Sequence, residues 1–280
     1  MPDVLFHISF ALLLAVLLKI KNWKLVITGA FLPDFSRVIL IILNFLKFDE
    51  LKSFVFLEPM HSPFINIFLA LSIALIFSNP IKNFLLIYLG ALTHYFLDFL
   101  QFAGKFGQTF FYPFYFKQYS LNLFYTGNYL FLFLGVLMLT ISVYYLKERN
   151  YFKINKKTIP FSAVFILIVF LILYLTTNKI IDNNIHGTKF ILNPNEFNNK
   201  EISLYNTKVI SLGPYKINEL GKVFIIESKE DLKLNSLITI EGIYKENKII
   251  VSSIFHNNNK KYYFSVIGLI AYIILIFKKD

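Results

Sequence analysis

Two ionisable side chains interrupt the apolar stretch GALTHYFLDFLQ at residues 90–101, a segment long enough to cross a bilayer. His94 and Asp98 are four residues apart, so on a helix both project from one face and can reach the same ion. Ionisable groups inside membrane spans are rare, and they usually face a cavity or each other. An intrahelical hydrogen bond is the simpler alternative, and the pair by itself leaves it open.

Three further polar residues lie in apolar surroundings: His7 in LFHISF, Asp34 in GAFLPDFSR and His61 in EPMHSPF. A lone histidine in a membrane is often only packed and hydrogen-bonded, but an alternating helical path puts these residues at the depth of the His–Asp pair. Pro33 can break its helix and turn the neighbouring carboxylate inward. This agreement in depth predicts one shared metal site, with ligands His7, Asp34, His61, His94 and Asp98.

The donor types indicate the ion and its chemistry. Imidazole and carboxylate ligands suit Zn²⁺, Mn²⁺ or Fe²⁺, so we predict a divalent transition metal, with zinc as the first choice. An ion that keeps an open coordination position lowers the pKa of bound water toward about 7, which produces a nucleophile for hydrolysis. The chain has no cysteine, so thiolate ligands and disulfides are excluded.

The composition is that of a membrane protein. Of the 280 residues, 56% are hydrophobic and 16% are charged, against about 25% charged residues in an average soluble domain. The formal net charge of +11 comes from lysines at the ends of apolar runs and in one polar segment. Such lysines determine topology, so nucleic acid is not an expected partner, whereas membrane lipids are.

Apolar segments of suitable length predict an α-helical integral membrane protein with about seven transmembrane helices. They fall at 3–20, 25–46, 63–79, 82–101, 124–146, 159–177 and 261–277.

Basic loops predict the orientation of these helices. The loops are KIKNWK at 19–24, NPIK at 79–82, KERNYFKINKK at 147–157 and the terminal KKD. All of them fall on one side of the alternating path, and the positive-inside rule makes that side cytoplasmic. The N-terminus is therefore expected outside the cytoplasm.

Residues 185–258 differ in kind from the rest. β-branched runs with rough alternation, separated by Gly, Pro, Asn and Lys, predict a small all-β domain of about five strands. A kink at Gly242 followed by a KENK turn resembles the oligonucleotide- and oligosaccharide-binding (OB) barrel. We expect three parts: a polytopic membrane domain at 1–180 with the metal site, an OB-like extracytoplasmic domain at 185–258, and a C-terminal transmembrane helix at 261–280.

The order of the polar motifs resembles the YdjM-like family of integral-membrane proteins, which are assigned as metal-dependent hydrolases. The resemblance covers residues 1–146, and it implies that the five residues named above are the metal ligands. It rests on His7, LPD at 32–34, HS at 61–62, GxxxHxxxD from Gly90 to Asp98, and FGQTFFYPF at 106–114.

The chain departs from this family at two positions. Ser36 stands where the family often has a second acidic residue, and FLEPMHS stands where it often has an additional histidine. Glu58 can replace that lost ligand, act as a general base, or be an exposed interfacial carboxylate. Without Glu58, the base is expected at Asp34 or Asp98. Arg37 can pair with Asp34 or hold a substrate phosphate, and the ion pair is the simpler interpretation.

Taken together, these patterns predict a membrane-embedded metal-dependent hydrolase. Its expected substrate is a lipid or lipid-linked phosphoester or ester near the outer leaflet. The alternative is a non-enzymatic membrane scaffold or transporter, in which the metal is structural and the β-domain binds a protein partner or a glycan. The two differ in whether the ion keeps an open coordination position.

Overall fold

The computed structural model describes residues 4–101, 107–124, 129–146, 154–257 and 260–277. Most of this part of the chain is helical, and a five-stranded β-sheet forms separately. The helices are α1 Val4–Leu17, α2 Trp23–Phe31, α3 Phe35–Phe45, α4 Glu50–Leu57, α5 Pro63–Leu75, α6 Pro80–Leu100, α7 Tyr129–Tyr145, α8 Ile159–Asp182, α9 Thr188–Leu192 and α10 Lys260–Phe277. The strands are β1 Lys200–Leu212, β2 Tyr215–Glu219, β3 Lys222–Glu227, β4 Leu237–Lys245 and β5 Lys248–Asn257.

The chain divides into two compact units. The first comprises Met1–Ile39, Glu58–Leu175 and Lys260–Asp280, and it contains all five predicted metal ligands. The second comprises Leu40–Leu57 and Thr176–Asn259, and it contains all five strands.

The prediction of seven membrane spans is wrong. Each predicted interval contains a helix, but among the described residues only three helices are both long and apolar enough to cross a membrane: Trp23–Phe45, Pro80–Leu100 and Lys156–Asp182. A fourth span exists only if the helices on either side of a 78° bend at residues 61–63 count as one. The 14 residues of α1 cover about 21 Å at 1.5 Å per residue, which is less than the ~30 Å hydrocarbon core. Apolar composition alone therefore overstated the number of spans.

Pro33 changes the local helix geometry, as predicted, but Trp23–Phe45 continues as one helical span. A 3₁₀ turn, Leu32–Asp34, separates α2 from α3, and a second 3₁₀ turn, Glu58–His61, separates α4 from α5. Proline cannot donate a backbone hydrogen bond, and both turns contain one. Each turn carries one predicted ligand, Asp34 in the first and His61 in the second, and both side chains are buried.

Two glycines allow α2 and α6 to pack backbone to backbone. A Cβ atom on Gly29 would lie 1.8 Å from the Ile87 carbonyl oxygen, and one on Gly90 would lie 1.9 Å from the Val26 carbonyl oxygen. Small residues permit such close crossings of membrane helices. The crossing places the C-terminal half of α6 beside the 3₁₀ turn that carries Asp34.

The second unit confirms the predicted five-stranded β-structure. β1 pairs antiparallel with β2 and with β4, β2 pairs antiparallel with β3, β4 pairs antiparallel with β5, and β3 pairs parallel with β5. Burial alternates along β1 at Ile202 and Leu204, and again at Thr207 and Val209 after a shift of register, as the two-residue period of a strand requires. The predicted turn at 245–248 is present, and both of its central residues have positive φ, as in a type I′ hairpin.

The predicted kink at Gly242 is a shift of register between β4 and β5. A Cβ atom there would lie 2.3 Å from the Ile250 carbonyl oxygen, so only glycine fits this close approach of two strands. Two parts of the topology prediction lie outside the described residues: most of the basic segment, at 147–153, and the terminal KKD.

Candidate metal centre

The structure brings all five predicted ligands together. His7 comes from α1, Asp34 and His61 from the two 3₁₀ turns, and His94 and Asp98 from α6. Each of the five is 3% exposed or less. Four separate segments of the chain thus contribute side chains to one buried cluster, although no two of those segments are adjacent in sequence.

Asp98 lies at the centre of the cluster, and three histidines direct a ring nitrogen at its carboxylate. His61 Nε2 lies 2.8 Å from Asp98 Oδ2, and His94 Nε2 lies 3.2 Å from the same oxygen. His7 Nε2 lies 3.3 Å from Oδ1. The rings of His7 and His94 stack at 3.9 Å between centroids. The simple alternative of one intrahelical His94–Asp98 contact does not describe the site, because the carboxylate lies within 3.3 Å of nitrogen atoms from three histidines.

Backbone carbonyls orient two of these rings. His94 Nδ1 lies 2.7 Å from the carbonyl oxygen of Ala30, which belongs to α2 at its close crossing with α6. His61 Nδ1 lies 3.1 Å from the Pro33 carbonyl oxygen and 3.8 Å from Asp34 Oδ1. Because a carbonyl oxygen only accepts, the nitrogen facing it carries the proton, which leaves Nε2 of His94 with a lone pair. This is the arrangement typical of metal-binding histidines.

The donors fit a metal ion. His7, His94 and Asp98 form one group whose ligand atoms lie within 4.8 Å of one another, and Asp34, His61 and His94 form a second. For bonds of about 2.0–2.1 Å at tetrahedral angles, two ligand atoms lie about 3.3 Å apart. The separations of His7 and His94 from the Asp98 carboxylate agree with that value.

Several of these atoms also lack hydrogen bonds. Within the part of the chain that the structure describes, five nitrogen or oxygen atoms of the cluster are buried without a hydrogen-bond partner: His7 Nδ1, His7 Nε2, His94 Nε2, Asp34 Oδ1 and Asp98 Oδ1. Leaving a buried polar atom unsatisfied costs about 1–3 kcal/mol each. Five such atoms, in two ligand groups that share His94, are expected where an ion binds.

Glu58 is not an exposed interfacial carboxylate, so that alternative is wrong. It is 5% exposed, and its Oε2 lies 3.0 Å from Arg37 Nη2. This ion pair connects the two 3₁₀ turns, because Arg37 lies three residues after Asp34 and Glu58 lies three residues before His61. Sequence reasoning favoured Asp34 as the partner of Arg37, whereas the structure shows Glu58 in contact with it.

Ser36 is buried, and its hydroxyl donates to the Pro33 carbonyl 3.2 Å away. Ser36 therefore stabilises the 3₁₀ turn that carries Asp34.

Sequence reasoning missed Gln108. Its Nε2 atom donates a hydrogen bond to Asp98 Oδ2 at 3.1 Å. The residue lies in the non-helical segment after α6, ten residues beyond the carboxylate it contacts. Its place within the FGQTFFYPF motif was the available signal, but an uncharged amide attracts less attention than a histidine.

These observations define a mostly helical protein with three candidate membrane spans and a buried His/Asp cluster that can hold a metal ion. No protein-family model, curated protein or solved structure matches the chain. The resemblance to the YdjM-like family therefore stays a prediction that rests on the motifs alone.

Proposed function

We propose that this chain is a membrane-embedded metal-dependent hydrolase. The observation that carries the proposal is the clustering of unsatisfied nitrogen and oxygen donors in two buried ligand groups that share His94. A purely structural hydrogen-bond network would satisfy its own donors and acceptors, since each unsatisfied atom destabilises the fold.

The ligands are His7, His94 and Asp98, with the second group contributing Asp34 and His61. Histidine and carboxylate donors favour zinc, and manganese or iron also suit them. When bound, such an ion supplies an acidified water and polarises an ester or phosphoryl oxygen. The chain supplies the remaining requirements: burial excludes bulk water, and the unbonded Asp34 Oδ1 can accept a proton.

The substrate proposed is a lipid or lipid-linked phosphoester or ester. Three candidate spans support a location in a bilayer, and two of them, Trp23–Phe45 and Pro80–Leu100, carry Asp34, His94 and Asp98 themselves. A reacting group held at that depth is most simply delivered by a molecule that is itself anchored in the membrane. The loop charges further favour a site near the outer leaflet and an extracytoplasmic β-domain.

The β-domain favours a second, non-catalytic role. Its strand order, β1-β2-β3-β5-β4 with β4 also paired to β1, supports an OB-like barrel, a fold that binds oligosaccharides and oligonucleotides. In a scaffold or transporter, the metal would be structural and this domain would bind a glycan or a protein partner. That role predicts a retained metal without hydrolysis.

The decisive experiment measures metal content and hydrolysis on the full chain in detergent. Wild-type protein is expected to carry one to two equivalents of a divalent transition metal and to hydrolyse a phosphoester or ester lipid analogue. His94→Ala should lose most of the bound metal and most of the hydrolytic activity. The matched control is His256→Ala, because the His256 side chain is 53% exposed in the β-unit and should leave both unchanged.

Two results contradict the proposal. Wild-type protein that binds no metal after reconstitution removes the metal centre. Stoichiometric metal with no hydrolysis of either ester class supports the structural alternative instead.

A further inference from the structure

We infer that Gln108 is a positioning residue: its amide holds Asp98 Oδ2 and so presents Oδ1 to the metal. The inference rests on the proposed metal site and assigns a role to a segment that the ligand set does not include. Gln108 itself contacts the ligand and not the ion, so it is not a catalytic residue.

The contact has only one chemically sensible direction. Asp98 Oδ2 is a carboxylate oxygen, which accepts, so the atom 3.1 Å away must be the Nε2 amide donor of Gln108. Oδ2 is also 2.8 Å from His61 Nε2 and 3.2 Å from His94 Nε2. Oδ1 has no hydrogen bond among the described residues, and it faces His7 Nε2 at 3.3 Å. The two oxygens of the Asp98 carboxylate therefore differ in their contacts: Oδ2 accepts the Gln108 hydrogen bond, and Oδ1 is left unbonded.

The segment that carries Gln108 is fixed in place by its backbone. The Gln108 amide donates to the Tyr119 carbonyl at 2.9 Å, and the Tyr119 amide donates back at 3.1 Å. A Cβ atom on Gly107 would lie 2.3 Å from that same carbonyl oxygen, so glycine is needed for the stretches around Gln108 and Tyr119 to approach each other. Phe110 contacts the rings of Tyr95 and Phe99 on α6, edge to face. These contacts hold the amide against the turn of α6 that carries Asp98.

Such an outer donor has a measurable effect. Hydrogen bonds to a ligating carboxylate fix its orientation, and their removal typically costs 10–100-fold in metal affinity or activity. Gln108 is also more exposed than the five ligands, each of which is buried.

The test compares two glutamines of the same segment. Gln108→Met keeps the shape of the side chain but removes the donor. Gln118→Met is the matched control, because the Gln118 amide donates to the Gly107 carbonyl at 3.1 Å and not to Asp98. Zinc affinity of the full chain is measured by competition with a chelator of known affinity, and thermal unfolding of the metal-free protein is measured in parallel.

We expect Gln108→Met to weaken zinc binding about 10–100-fold while one equivalent still binds at saturation, and Gln118→Met to stay within about threefold of wild type. Gln108→Ala is the second variant, because it removes the donor without placing a thioether in the site, and it should behave in the same way. Where hydrolysis is measured, kcat should fall with KM unchanged.

Three outcomes separate the possibilities. Zinc affinities of both Gln108 variants within threefold of wild type overturn the inference and leave the metal centre intact. Equal weakening by the Gln108 and Gln118 variants also overturns it, because the effect then belongs to the segment and not to the donor. Wild-type protein that binds no zinc overturns the proposed function itself, and the assignment of Gln108 with it.

Discussion

Substituting Gly90 by alanine tests whether the crossing of α2 and α6 builds the metal centre. The added Cβ atom would lie 1.9 Å from the Val26 carbonyl oxygen, whereas real Cβ atoms essentially never approach closer than 3.0 Å. Both atoms belong to backbone, so no side-chain rotation relieves the overlap. The two helices must separate by about 1.1 Å or more, which is the difference between these distances.

That separation reaches the metal ligands directly. His94 Nδ1 donates to the Ala30 carbonyl at 2.7 Å across the same crossing, and an opening of this size would lengthen the bond to about 3.8 Å, beyond hydrogen-bond range. Loss of this outer contact should weaken metal binding about 10–100-fold. Overpacking of this kind should also lower the free energy of unfolding by about 1–3 kcal/mol.

The assay is zinc affinity by chelator competition, together with thermal unfolding of the full chain in detergent. Gly135→Ala in α7 is the matched control, because the nearest atom to its Cβ is Leu5 Cγ at 3.5 Å, an ordinary contact. Both substitutions place alanine inside a helix, where alanine is favoured over glycine by about 1 kcal/mol. Wild-type zinc affinity and stability in Gly90→Ala would refute the reasoning.

Three further predictions concern Glu58, the orientation of the chain and the pH dependence of the β-unit. Glu58→Gln should keep metal content and lower turnover about 10²–10⁴-fold if Glu58 is the general base, lose metal if it is a ligand, and change only stability if its ion pair is structural. Lys229→Cys in the cysteine-free chain should react with an impermeant maleimide in intact cells, whereas Lys82→Cys should react only after lysis; the reverse pattern inverts the proposed topology. Burial and the nearby Glu50 carboxylate raise the pKa of Glu219 to about 8, so the folded state holds a proton that the unfolded state releases, and stability should fall as pH rises from about 4.5 through 8. In Glu219→Gln, stability should fall less between pH 5 and 9, as measured by thermal melting followed at the β-sheet amide I infrared band. An unchanged dependence of stability on pH would contradict the raised pKa of Glu219.

Much of the candidate site follows from local sequence. The four-residue spacing of His94 and Asp98 puts both on one helical face in any α-helix, and a proline in the interior of a helix disrupts its hydrogen bonds through its missing donor. The alternating burial of β1 likewise follows from the two-residue period of a strand. Each of these properties depends on a few neighbouring residues, so each could be predicted without the fold.

Other features depend on residues far apart in sequence. Seven apolar runs indicated seven spans, but whether an apolar helix crosses a bilayer also depends on its length after turns and bends have been subtracted. The partner of Arg37 was expected one turn away at Asp34. Glu58 contacts it because two 3₁₀ turns, separated in sequence by α3 and α4, meet in space.

The sequence by itself determined which chemistry is available: imidazoles and carboxylates without a thiolate, placed in apolar segments where their burial must be compensated. Only the tertiary structure decided that these groups meet. Gly29 and Gly90 lack the side chains that would keep α2 and α6 apart, so the helices approach until the Ala30 carbonyl orients His94. The same folding brings Gln108 to Asp98. Contacts of this kind come from long-range packing, which no local pattern encodes.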